Sequence, residues 1–151
     1  MEAVPLPSWC RIVRETSPEL VAAFAARPTI AGPTDAAAYL APRLVAEEVE
    51  VVAAMMLDAQ NRVMAMHEVT RGLVNSSLVH PREVFRLAIA VGASSIIVAH
   101  NHPSGVLTPS PEDIEVTRAL VAAGEVLDIP VRDHLIIGLS GHRSLASDGY
   151  I

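Results

Sequence analysis

Residues 94–99, Ser-Ser-Ile-Ile-Val-Ala, form a short apolar run that leads straight into His100-Asn101-His102. A strand without polar alternation is a buried one, so its sheet needs helices packed against it. The segment Pro103–Pro109 that follows is rich in Pro, Ser and Gly and reads as a loop. Ser110-Pro111-Glu112-Asp113 then has the signature of a helix start, with Ser as N-cap, Pro at the first helical position and an acid two residues later. The chain is thereby committed to strand, loop and helix, with its polar groups gathered where the strand ends.

The flanking sequence extends this pattern. Ser17-Pro18-Glu19 starts a helix that stops before Pro28, after an irregular arm over residues 1–16. Gly32-Pro33-Thr34-Asp35 starts a second helix through Leu40, which Pro42 is expected to break or kink. Strands are expected over Glu50–Leu57 and Arg62–Val69, joined by a turn at Asp58–Asn61 as a hairpin, with a third short strand over Gly72–Leu78. Pro81 opens a helix with the apolar face Val84, Leu87, Ala88 and Val91, and Gly92 ends it. A helix over Pro111–Leu127 and strands over Val131–Gly138 and Arg143–Ala146 complete an α/β domain, a mixed sheet flanked by helices. The expected division is an N-terminal arm and short helix over residues 1–30 and one domain over residues 31–151.

Composition narrows the function. Hydrophobic residues make up 51% of the 151, enough for one real core and too many for a disordered chain. Aromatics are only 3%, a poor supply of stacking platforms for single-stranded nucleic acid. Net charge is −6 and the eleven basic residues, all Arg, are scattered, which does not favour direct DNA binding. Cys10 is the only cysteine, so an intrachain disulfide and a Cys-rich zinc site are both excluded. The sequence shows no signal-peptide pattern and no run long enough to span a bilayer, so a cytoplasmic protein without a membrane partner is expected.

Chemistry concentrates at the loop. In a strand, residues i and i+2 share a face, so His100 and His102 project together with Asn101 opposite. Asp113 lies in the first turn of the next helix. Two His and one carboxylate suit zinc with an open fourth position for water, whose pKa zinc lowers to about 7. Taken alone, Ser110 and Asp113 are a helix capping box; the two readings are compatible. Asp133-His134 reads first as a satisfied structural pair, with a role in orienting a ligand imidazole as the alternative. Arg82 and Glu83 read as a salt-bridged helix start, His80 as a turn residue, His67 and His142 as surface residues, and Met55-Met56 as core.

The spacing H-x-H-x7-S-x2-D, with a distant Glu, resembles the JAMM motif of the JAB1/MPN+ metalloprotease superfamily. His80-Pro81-Arg82-Glu83, Ala99-His100-Asn101-His102-Pro103-Ser104-Gly105, Pro109-Ser110 and Asp133-His134 with Ile136 resemble its RadC-like branch. The resemblance runs from about Glu48 to the C-terminus. It departs from the full-length RadC pattern, which usually carries an N-terminal helix-hairpin-helix region. No Gly-rich hairpin is found among the roughly 45 residues before the domain.

What the resemblance implies is specific. The fold would be a single MPN/JAB domain of the cytidine deaminase-like type, with a curved mixed sheet. His100, His102 and Asp113 would be zinc ligands, Ser110 would stabilise the oxyanion, and the distant Glu at a strand start would be the base. Glu50 is the choice for that base, ahead of Glu48 and then Glu47. The activity would be zinc-dependent hydrolysis of peptide or isopeptide bonds in a peptide or protein substrate. A non-catalytic interaction module associated with DNA repair or processing and a metal-dependent nuclease are the alternatives. Sheet edges left exposed could pair with a substrate peptide or with a second copy in a homo-oligomer.

Overall fold

The computed structural model describes Ala22 and residues 26–72 and 79–151. The expected arm, most of the helix over residues 17–26 and, Gly72 apart, the short strand over 72–78 lie outside the described residues. Among those described, three helices and five strands form an α/β domain: α1 (Pro33–Leu44), β1 (Val51–Leu57), β2 (Val63–Arg71), α2 (Pro81–Val91), β3 (Ser95–Asn101), α3 (Pro111–Leu127), β4 (Val131–Gly138) and β5 (Gly141–Ser144). The sheet order is β2-β1-β3-β4-β5. Only β3 and β4 run parallel, joined across the sheet by α3; β1–β2, β1–β3 and β4–β5 are antiparallel.

The central strands explain the three-layer build. Every residue of β1 and of β3 is buried. Val51, Ala53, Met55 and Leu57 face Ala36, Leu40 and Leu44 of α1. Val52, Ala54 and Met56 face Val84, Phe85 and Ala88 of α2 and Leu120 of α3. Met55 and Met56 therefore both fill core, on opposite faces. With few aromatics, Phe85 is the one fully buried Phe, Tyr or Trp ring among the described residues, Tyr39 packs at the edge of the α1 side, and unbranched Met and small Ala fill much of the rest.

Local chemistry sets the boundaries. In the β1–β2 turn, Asp58 Oδ1 accepts from the backbone N–H of Gln60 (2.8 Å) and Arg62 (2.9 Å), and Asn61 takes the left-handed conformation at φ 59°. Gly92 ends α2 at φ 67°, with its N–H bonded back to the helix. Helix α1 does not stop at Pro42 but continues to Leu44. Proline there frees the carbonyl of Ala38, which is exposed to water, while Leu40 and Leu44 gain full burial on the sheet.

Candidate metal centre

The parity of β3 places His100 on the face covered by α3, in line with Val98 and Ile96. Past the strand, the N–H of His102 bonds the carbonyl of Ile137 at 3.2 Å, which prolongs the pairing with β4. Gly105, at φ 78°, then turns the chain. This brings the carbonyl of Val106 to 2.6 Å from Nδ1 of His102. A carbonyl can only accept, so His102 Nδ1 carries the proton and its Nε2 carries the lone pair.

Helix α3 brings the carboxylate. Ser110 Oγ accepts from the N–H of Asp113 (3.1 Å) and Asp113 Oδ2 accepts from the N–H of Ser110 (2.7 Å), a complete capping box. The expected cap is thus real, and it fixes the Asp113 rotamer. The same carboxylate stands 3.3 Å from His100 Nε2 through Oδ1 and 3.4 Å from His102 Nε2 through Oδ2. His100 and Asp113 are buried and His102 is half-buried.

The ligand atoms of His100, His102 and Asp113 all lie within 4.8 Å of one another. The two Nε2 atoms are 2.9 Å apart. With Nδ1 of His102 spent on Val106, its Nε2 and the Asp113 carboxylate both present lone pairs to His100 Nε2, a set that a proton or a cation can bridge. The His102 imidazole is raised in pKa, chiefly by its contact with Asp113 and with a contribution from the charge of Glu50. Burial pushes the Asp113 carboxyl up, but the contacts from His100 and His102 outweigh it and hold it far below the usual carboxylate range. A divalent metal satisfies the same demand, and nitrogen and carboxylate donors of this kind suit zinc.

Glu50 immediately precedes β1. Continuing the β1–β3 register, in which Val52 faces His100, sets Glu50 opposite His102. Its parity with Val52 and Ala54 puts it on the His100 face. Glu47 is turned away: the Arg71 guanidinium binds it at 2.6 and 3.1 Å and holds its carboxyl below the ordinary value. Glu48 is exposed.

Asn101, between the two histidines, has a role that the spacing alone does not announce. Its Oδ1 accepts from the N–H of Val51 at 2.7 Å, and its Nδ2 donates to the carbonyls of Val49 (2.9 Å) and Glu47 (3.3 Å). These bonds bracket Glu50, whose own carbonyl accepts from Gly72 N–H at 2.9 Å. One side chain of β3 thus ties the Glu50 segment to the strand that carries the histidines.

A sequence model of the RadC-like JAB domain matches residues 30–150. The chain belongs to the RadC-like JAB domain family. It is 47% identical over 113 residues to a UPF0758 protein of Symbiobacterium thermophilum, covering 75% of this chain and 48% of that one. A UPF0758 protein of Synechocystis is 46% identical over 126 residues, 81% of this chain and 52% of the relative. A third, from Caldanaerobacter subterraneus, is 53% identical over 96 residues, 64% and 41% respectively. The chain spans about half the length of the curated relatives it matches. Membership of a JAB domain family and the His-His-Asp group are together consistent with a metal-dependent hydrolase. Among the described residues, no helix is long and apolar enough to cross a membrane.

The Asp133-His134 pair divides. Asp133 is structural: it accepts from Ser144 Oγ (2.7 Å) and from the N–H groups of His134 (2.7 Å) and Ala146 (3.1 Å), and so fastens β5 and the turn after it to β4. His134 instead reaches the RadC-like site, with Nε2 at 2.8 Å from His100 Nδ1. Away from the site, His80 caps α2 by accepting from Arg82 N–H at 3.2 Å, and Arg82 pairs with Glu83 at 3.2 Å. His67 and His142, expected at the surface, are partly buried in β2 and β5.

Proposed function

We propose that this chain is a zinc-dependent hydrolase that cleaves peptide or isopeptide bonds in a protein or peptide substrate. The observation that carries this reading is the convergence of His100 Nε2, His102 Nε2 and the Asp113 carboxylate, with Glu50 on the same face. His100, His102 and Asp113 would hold the ion. Bound zinc supplies a Lewis acid that brings the pKa of water to about 7. Glu50 takes the proton of the attacking water and delivers it to the leaving amine. Ser110, an acceptor within the cap, keeps its own O–H proton to donate to the developing oxyanion. The family supports hydrolysis in general; the preference for amide bonds is what the JAMM resemblance implies, and proton delivery by Glu50 would serve a poor amine leaving group.

The test is a panel of unfolded peptides and isopeptide-linked conjugates, incubated with zinc-loaded protein. Cleavage that stops on chelation and returns with zinc is expected. Cleavage unaffected by a chelator, or none from the fully loaded protein, would count against the proposal.

The Asn101 bracket gives a second expectation. Asn101→Ala should lower turnover by up to about 10²-fold, because misplacing a base by about 1 Å has that effect. Metal stoichiometry should stay unchanged. Stability should fall by about 1–3 kcal/mol, since the buried Val51 N–H loses its acceptor. Turnover, elemental analysis and urea denaturation read the three effects separately; wild-type turnover in Asn101→Ala would remove Asn101 from the account of Glu50.

A further inference from the structure

We infer that Thr117 and His134 are positioning residues that fix the tautomer of His100, so that its Nε2 presents a lone pair to the metal centre. The inference rests on the reading of that centre given above. Thr117 lies on α3 one turn after Asp113, fully buried, and its hydroxyl donates to the Asp113 carbonyl at 2.6 Å. A hydroxyl has one proton, so toward His134 Nδ1, 2.7 Å away, Thr117 Oγ1 can only accept. His134 Nδ1 must therefore carry a proton. The ring is buried and both its nitrogens are taken, by Thr117 and by His100, so no carboxylate bonds it and the neutral form is favoured. Its Nε2 then holds a lone pair and accepts from His100 Nδ1 at 2.8 Å. His100 is left with its lone pair on Nε2, the atom that faces His102 and Asp113.

The relay runs from a backbone carbonyl of α3 through a hydroxyl and a neutral imidazole to the first histidine of the motif. Its effect falls on protonation and metal binding, so it can be read without turnover. A metal-bound histidine usually donates its second N–H to a carboxylate, a carbonyl or water. Here the acceptor is another histidine, and that histidine can accept only while Thr117 holds the proton on its far side. Both ends of the relay converge on ligands: Thr117 bonds the backbone of Asp113, and His134 bonds the ring of His100.

Thr117→Val keeps shape and removes the acceptor. His134 Nδ1–H would then face a methyl group, and the favoured neutral form of His134 becomes Nε2–H. That form donates to His100 Nδ1 and drives the His100 proton onto Nε2. Ring-nitrogen NMR of metal-free protein with labelled histidine reads this directly. Wild type and Thr117→Ser should show His100 protonated at Nδ1; Thr117→Val should show Nδ1 without a proton. Zinc affinity, measured by chelator competition, should fall about 10- to 100-fold in Thr117→Val and recover in Thr117→Ser. Should Thr117→Val fail to fold, His134→Gln against His134→Leu makes the same comparison, because an amide can both accept from His100 and donate to Thr117. Unchanged His100 protonation in Thr117→Val, or equal zinc affinity for His134→Gln and His134→Leu, overturns the relay. Tautomers as stated in a wild-type protein that takes up no zinc would keep the relay and overturn the metal-centre reading instead.

Discussion

Glu50→Gln is expected to keep its metal and lose hydrolysis by about 10²–10⁴-fold, the range for removing a positioned general base. The amide matches the carboxylate in shape, and the backbone on either side of residue 50 is held by Asn101 and Gly72, so the fold has no reason to change. Glu48→Gln should leave turnover near the wild-type level, because Glu48 is exposed. Glu47→Gln should act mainly by loosening Arg71, a surface contact of small energetic consequence. Normal turnover in Glu50→Gln, with loss in Glu48→Gln, would move the base two residues along the chain.

The second large effect concerns Asp113, which has two duties. As the third residue of α3 it accepts the Ser110 N–H, and its carboxylate faces both imidazoles. Asp113→Asn retains an oxygen for the cap but gives up the charge, so it should lose the metal while α3 stays capped. Asp113→Ala loses both, and without metal should be about 1 kcal/mol less stable than Asp113→Asn, the usual worth of such a cap. Denaturation of the two variants beside elemental analysis separates the duties. Equal stability with equal metal loss would mean that the cap bond at Asp113 contributes little.

Much of this was legible in the sequence, for physical reasons. Strand β3 and helix α3 were plain because the apolar run and the capping box are local signals, and the His100/His102 pairing follows from strand period alone. Pro42 does not end α1, because local propensity takes no account of the burial of Leu44 that carries the helix on. Asn101 was assigned only to the opposite face, since its three partners lie about fifty residues upstream and no short-range pattern encodes that contact. Thr117 was missed although a signal existed: it is one helical turn after Asp113, on the same face. From sequence His134 reads first as a structural residue, and only the β3–β4 register, Val98 beside His134, brings it behind His100. Long-range contacts, not residue types, were the part the sequence withheld.

His100, His102 and the Asp113 carboxylate converge on one point that a metal ion would fill. Elemental analysis of the purified wild-type chain, beside Asp113→Asn, tests it most directly. About one zinc per chain in the wild type and none in the variant is the expected result. A wild-type chain without metal even after zinc is supplied, or a variant that retains it, would contradict the account and leave Ser110 and Asp113 as a helix cap alone.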